Sequence, residues 1–321
     1  MRRISTMLIG AVILAAHTAT AQPFQGNGFL RDGFDITGYT DLSYFDDGTD
    51  SGTFGRADLD MEFTTDPNAN DVVLGFSLGF DGAKEFTGGT MSLGAFYPAL
   101  IVGFGNNKVS VGAPRSVINR GYIPETIFAN NTRLDLSISA FTGSILSFGT
   151  LINDFHPYGL RYDGVFGQTK VGFSAHRVDN SGVKADFYAL AMSHTYTMNG
   201  PLPEVTFYGG VESINPVGPS KINYTLGVEA RSDELRLGML LGNRDSPTNT
   251  NTVELYGKYQ FNNSFSTIAS VLRFTGAGID RTIYGIGAEY TFLNNAYISA
   301  SIADGNNSID TSYAVSIGWR F

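Results

Sequence analysis

The chain has 321 residues, a formal net charge of −9, 39 glycines, 13% aromatic residues and no cysteine. Without cysteine it holds neither disulfides nor thiolate metal centres, and an acidic chain lacks the basic patch that marks a nucleic-acid binder. Past the N-terminal segment no apolar run reaches the roughly 20 residues a membrane helix needs, so a membrane-embedded role requires a closed β-barrel.

The N-terminal segment reads as an export signal. Met1, Arg2 and Arg3 give a positive start, residues 7–16 (MLIGAVILAA) form a short apolar run, and Ala19-Thr20-Ala21 supplies a small-x-small cleavage site. The expected organisation is a cleaved signal at 1–21 and a single domain at 22–321, since no composition shift or proline-rich linker divides the remainder.

From there the chain is a train of alternating segments, each about ten residues long. In 53–65, Ala57, Leu59, Met61 and Phe63 alternate with Arg56, Asp58, Asp60 and Glu62. A charge at the lipid midplane costs up to about 2–4 kcal/mol, less for acids, so the charged set is expected to face a water-filled lumen. In 71–81, Val72, Leu74, Phe76, Leu78 and Phe80 alternate with Gly75, Ser77 and Gly79. Equivalent patterns recur through 222–229, 235–242, 253–260 and 284–292. Registers near Pro98 and in 186–194 stay open at this level. Strand starts fall near residues 34, 53, 71, 89, 107, 157, 169, 186, 204, 221, 234, 252, 266, 281, 296 and 311. The expected fold is thus an all-β, transmembrane antiparallel barrel of about 16 strands, wide enough for a channel.

One connection breaks the rhythm. Between a fifth strand expected at 108–117 and a sixth at 156–163 lie about forty residues, 118–155, a length that in a compact fold marks function or disorder. This loop carries Tyr122, Ile123, Ile127, Phe128, Leu134, Leu136, Ile138, Phe141, Ile145, Leu146, Phe148 and Leu151. So apolar a segment needs a surface to bury against, and the inner wall offers one.

The closing strand is the strongest single signal. Tyr313, Val315, Ile317, Trp319 and Phe321 project from one face, while Ala314, Ser316, Gly318 and Arg320 are small or polar. Together with 283–290 (IYGIGAEY), 299–304 (SASIAD), 316–321 (SIGWRF) and the run 109–115 (VSVGAPR) leading into the loop, this resembles the alphaproteobacterial (Rhodobacter-type) porins, a family of general diffusion porins. The resemblance implies an outer-membrane homotrimer of water-filled channels for passive diffusion of small hydrophilic solutes and ions, each narrowed by its third external loop. It further implies contact with outer-membrane lipid and lipopolysaccharide, and recognition by the barrel-assembly machinery of the strand ending in Phe321.

In that family acids on the loop face a basic wall cluster. Here Glu125, Asp135 and Asp154 are mixed with Arg120 and Arg133, and Arg115 stands at the loop's root. The candidate constriction residues are Arg115, Arg120, Glu125, Arg133 and Asp135 with the wall residues Arg56, Asp58, Asp60 and Arg161. Read by register, Arg231, Arg236, Lys258, Arg273 and Arg320 also face inward, against Glu62, Glu212, Glu229, Glu254 and Glu289. The two signs nearly balance, so weak charge selectivity is expected.

Other readings have their own residues. A substrate-specific channel would show a track of aromatics with paired charges, for which Tyr39, Tyr208, Tyr256 and Tyr297 are the inward candidates. A barrel lipase or protease would draw on His156, His176 or His194, and none stands in a nucleophile context. A soluble all-β protein is argued against by the closing strand. No cofactor is expected. The acidic turn at 46–50 (DDGTD) offers hard oxygen ligands for a divalent cation, but lacks the full alternating-ligand loop.

Overall fold

Alternation at period two runs almost the whole length of the chain, and the sheet it builds closes on itself. The computed structural model describes residues 33–87, 91–118, 121–123, 127–153, 155–180, 183–216, 218–245, 249–276, 278–292, 295–306 and 311–321. The strands are β1 (Gly33–Asp46), β2 (Ser51–Thr64), β3 (Val72–Thr87), β4 (Ser92–Phe104), β5 (Asn107–Gly112), β6 (Tyr158–Phe166), β7 (Thr169–Asn180) and β8 (Val183–Thr197). They continue as β9 (Glu204–Pro216), β10 (Lys221–Arg231), β11 (Leu235–Arg244), β12 (Thr250–Gln260), β13 (Phe265–Gly276), β14 (Ile279–Thr291), β15 (Ala296–Gly305) and β16 (Ser312–Arg320). Each starts within three residues of its expected position. Two helices, α1 (Thr132–Thr142) and α2 (Ile145–Asn153), lie between β5 and β6. The expected signal segment falls outside the described residues.

Every strand is antiparallel to its chain neighbours, and β16 returns to β1 with Leu42 opposite Ile317. Phe321 N–H donates to the Gly38 carbonyl at 2.9 Å, extending the seam by one residue. Closure joins the first strand to the last, and the one stretch of β4 without a sheet partner on one side, before Ala99, lies where the chain leaves β5.

The two faces differ as the alternation requires. On β4, Ala95, Tyr97, Ala99 and Ile101 are buried inward, while Phe96, Leu100, Val102 and Phe104 stand outward, Leu100 67% exposed. An apolar outer surface of this extent has no place in water and fits a bilayer. Around the rim of short turns, outward rings meet in chains: Phe34, Phe63 and Phe76; Tyr196 with Phe207; Tyr259, Phe261 and Phe265; Tyr290 with Phe292. This is one aromatic girdle of a membrane barrel.

The open registers resolve simply. Pro98 faces outward opposite Leu78, at the point where β5 has already left its neighbour, so its missing N–H breaks no continuing ladder there. In β8, Phe187, Ala189, Ala191 and Ser193 point inward and Tyr188, Leu190 and Met192 outward.

Three expectations need correction. The fifth strand ends at Gly112, not at 117, because Gly112 adopts φ +136, where a Cβ would lie 2.7 Å from the Pro98 carbonyl oxygen. The sixth strand runs from Tyr158 to Phe166 rather than over 156–163. Arg273 faces outward beside Val271 and pairs with Asp280 at 3.3 Å, since the inward positions on that stretch belong to Leu272 and Phe274.

Candidate functional site

The long connection enters the barrel at Gly112. Ala113 N–H donates to the Pro98 carbonyl (2.7 Å), and the Pro114 carbonyl oxygen lies 2.7 Å from His176 Nε2 on β7. Arg115 then grips the wall. Its Nε donates to Asp60 and its Nη2 to Asp58, both at 2.8 Å, and Nη2 also reaches the carbonyls of Phe80 (2.8 Å) and Leu59 (3.2 Å). The guanidinium stacks on the Tyr97 ring at 4.5 Å. Val117, Ile118, Tyr122 and Ile123 continue onto β8, β9 and β11, burying against Ala189, Ala191, Tyr208 and Leu240. Tyr122 lies over Gly172, its hydroxyl donating to Asp163 at 2.9 Å.

The turn Phe128–Asn130 crosses to the far wall and seats against β13, β14 and β15, with Phe128 and Ala129 packed among Leu272, Phe274, Ile283 and Ala303. Gly285 and Gly287 on β14 form its socket. A side chain at either would run into Ala129. From there α1 starts under an Asn131 cap, whose side chain accepts from Leu134 N–H at 3.0 Å. Thr132 Oγ1 donates to Asp41 at 2.8 Å, and Tyr297 donates to the other oxygen of that carboxylate at 2.9 Å.

The second helix returns to the first side of the barrel. Its N-terminus meets Glu212 of β9, which accepts from Ser144 Oγ (2.6 Å) and from the N–H groups of Ile145 (2.8 Å) and Leu146 (3.4 Å). A negative charge is favoured there by the unpaired N–H groups and the helix dipole. Ile145 and Leu146 bury with Val178, Ala185, Phe187 and Ile214, while Leu136 and Leu151 bury with Phe45, Phe54, Ala83, Ala95 and Tyr97. The loop is therefore folded into the lumen and fastened to four separate patches of the inner wall. Its helices were not legible in its apolar content.

The inward charges are arranged in wall-bound pairs. Arg56 meets Asp81 (3.1 Å), Lys108 meets Glu62 (2.6 Å), Arg161 meets Asp163 (2.7 Å) and Arg236 meets Glu229 (2.6 Å). Arg320 pairs with Glu289, and Lys258 stands 3.9 Å from the same carboxylate. Of the nine candidate residues, Arg56, Asp58, Arg115 and Asp135 come together, with Asp60 held to Arg115. Arg161 stands apart beside Asp163. Arg133 is turned toward the rim, paired with Asp47 (2.9 Å) and Glu85 (3.3 Å) and stacked 3.8 Å over Phe45. Arg120 and Glu125 fall outside the described residues. Asp41, Asp81, Glu85, Lys108 and Asp163 were absent from the candidates. Their inward parity on β1, β3, β5 and β6 was the available signal.

Between loop and wall remains a cavity of about 150 Å³, bordered by Tyr39, Arg56, Asp58 and Asp81 on one side, Leu240 and Glu254 on the other, and Asp135, Ile138 and Ser147 from the loop. Burial pushes the Asp135 carboxyl up to about 6, against the pull of the Phe128 N–H it accepts and of the Arg56 guanidinium. At the rim, burial works against Asp47 too, but hydrogen bonds from Asp50, Thr49 and Arg133 outweigh it and hold that carboxyl at about 2. With Asp47 so engaged, the acidic turn is a capped turn joined to the loop by Arg133. Among the described residues no group of three or more histidine or carboxylate side chains is placed to hold a metal ion.

The inward tyrosines form wall rather than a shelf. Tyr97 lies against Gly79, Tyr208 over Gly227, Tyr256 over Gly238 and Tyr297 over Gly318, each directly opposite its glycine on the adjoining strand. Arginines cover three of the rings: Arg115 on Tyr97, Arg236 on Tyr256 (5.7 Å) and Arg320 on Tyr297 (4.3 Å).

No family model matches the chain, and no curated protein matches it. Solved structures do. A variant of Rh. blastica porin with two added tryptophans superposes with a TM-score of 0.62 at 19% identity, over 90% of this chain and 100% of that one. A variant of Rh. blastica porin that carries an alanine-to-lysine substitution gives 0.61 at 19% identity, and a triple mutant of the Rhodopseudomonas blastica porin gives 0.60 at 18%, with the same coverage. The fold is that of these sixteen-stranded porins.

Proposed function

We propose that the protein is an outer-membrane porin, a water-filled channel for passive diffusion of small hydrophilic solutes and ions. The observation that carries this reading is a folded loop fastened inside a closed barrel, beside a cavity lined by charged side chains. Lipid accounts for the apolar outer band, and water for the buried ion pairs of the inner one. The near-complete pairing of wall arginines with wall acids supports weak rather than strong ion selectivity. The likeness to porins supports a homotrimer in contact with lipopolysaccharide, assembled through the strand that ends in Phe321.

Catalysis has less behind it. His176 is held at the Pro114 carbonyl and His194 shares a hydrogen with Thr169 Oγ1 at 2.7 Å, so both serve the wall. The deciding experiment is reconstitution in planar bilayers and in liposomes. Stepwise ohmic conductance, together with swelling in small sugars that fades as sugar size rises, is expected. Lipid-embedded, folded protein that passes neither ions nor sugars would overturn the reading.

A further inference from the structure

Three cations stand abreast on the inner wall near the rim of short turns. Arg231 on β10 lies directly opposite Arg236 on β11, and Arg236 lies directly opposite Lys258 on β12. Like charges directly opposite on neighbouring strands destabilise a sheet, so this row costs the barrel stability. Acids offset only part of that cost. Glu204 holds Arg231 at 2.7 Å and Glu229 holds Arg236 at 2.6 Å. Glu289, the carboxylate beside Lys258, is already held by both Nη groups of Arg320, and the Lys258 ammonium stands 3.9 Å from it, beyond hydrogen-bond reach. Each arginine of the group has its own acid, and the lysine has none.

The two signs also sit at different depths. The side chains of Glu229 and Glu289 are 8% and 3% exposed, sunk into the wall, where the Tyr256 and Thr291 hydroxyls donate to them as well. Those of Arg236 and Lys258 are 31% and 28% exposed. Arg236 uses Nε for Glu229, whereas its Nη1 and Nη2, like Lys258 Nζ, make no hydrogen bond among the described residues. The lumen therefore meets guanidinium and ammonium N–H groups, with the carboxylates behind them. The pair lies on the turn side of Leu240 and Glu254, which border the loop cavity on the same two strands.

The free atoms set the ligand. A guanidinium edge with two free nitrogens matches two oxygens of one anion, and a neighbouring ammonium adds a point charge for a third. A lone carboxylate engages only part of this arrangement, while a tetrahedral oxyanion engages all of it. We infer that the inner wall carries, near the mouth of short turns, a subsite for phosphate-type oxyanions held by Arg236 and Lys258. This rests on the channel reading and narrows it: such anions would dwell at this mouth, while other solutes only diffuse past.

The test is single-channel current in dilute potassium chloride at neutral pH, with inorganic phosphate or acetate added in turn. Phosphate is expected to reduce the current at a concentration about tenfold lower than acetate. Lys258→Gln should raise the half-blocking phosphate concentration about tenfold, and Arg236→Gln should do the same. Lys184→Gln, at an exposed pair with Asp179 on the opposite rim, should leave it unchanged. Calorimetric titration of phosphate into the same proteins in detergent reads the site without relying on current. Acetate acting as well as phosphate would overturn the inference, as would an equal phosphate response in wild type, Lys258→Gln and Arg236→Gln. A protein that does not conduct but binds phosphate through Lys258 in the titration would remove the channel reading and keep the subsite, so the two fail separately.

Discussion

Glu212, on the wall, caps the helix that begins after Ser144, on the loop: its carboxylate accepts the serine hydroxyl at 2.6 Å and the first two helical N–H groups as well. Capping usually comes from a residue next to the helix in sequence. Here the cap comes from the opposite partner of the docking, so the helix is properly terminated only while the loop is seated. Hydrogen bonds to charged groups contribute about 1.5–3 kcal/mol each. Glu212→Ala should therefore unseat α2 while leaving the barrel closed. The expected signature is current noise and sub-states in single-channel records, with heat-modifiable gel mobility retained. Quiet wild-type records from the variant would show that the cap does not hold the loop.

The socket at the far wall gives a second test. The turn at Ala129 fits because Gly287 has no side chain. Gly287→Val should push the turn off β14, which raises single-channel conductance if the loop narrows the passage. An unchanged conductance in Gly287→Val would place the narrowing elsewhere.

Acidity should act on Asp135, the loop carboxyl displaced to about 6. Its folded value lies above the ordinary 3.8, so the fold favours the neutral form. The stability this group contributes is complete below about pH 3.8 and is lost as pH rises through about 6. Mild acid should therefore seat the loop more firmly while removing one negative charge from a cavity that also holds Arg56, Asp58, Asp81 and Glu254. Reversal potentials in a salt gradient should move toward anions between pH 8 and pH 5, and Asp135→Asn should show a smaller pH-dependent change. Identical pH profiles for the two proteins would remove Asp135 from the passage.

The lipid face can be challenged directly. Ile317 projects outward, 57% exposed, on the closing strand. Ile317→Arg should destabilise the barrel by about 2–4 kcal/mol if that position lies near the midplane. Ser77→Arg, on the inner face of β3 opposite Glu62, should be far milder because a counter-charge stands across from it. Thermal midpoints in detergent and heat-modifiable mobility compare the two, and equal damage would contradict the assigned faces.

Strand number, strand starts and the inward position of the loop were legible in the chain, because lipid and water impose opposite demands on alternating residues and 118–155 is too apolar for solvent. The site was legible only in part. Parity assigns Asp58, Asp60 and Glu254 to the lumen, yet it cannot say that Arg115 will leave the loop to bind Asp58 and Asp60, or that Arg133 will turn to Asp47 and Glu85. Those pairings join residues far apart in sequence through the path of the loop. That path depends on local details such as the positive φ of Gly112 and the glycine socket on β14. Arg273 was misassigned because pattern alone counted a charge as inward where the strand had already neared the rim.

The loop leaves the sheet after β5 and rejoins it at β6, but it is fastened by β13, β14 and β15, which are synthesised long after it. Phe128 cannot find Leu272 until most of the chain has been delivered and paired. Seating is therefore expected late in assembly, once those strands are in place. Contacts formed this late leave the rate of barrel formation largely untouched and act on the rate of its loss. Changes at Glu212 or Gly287 should consequently appear as shorter lifetimes of the finished barrel, while the time it takes to insert stays the same.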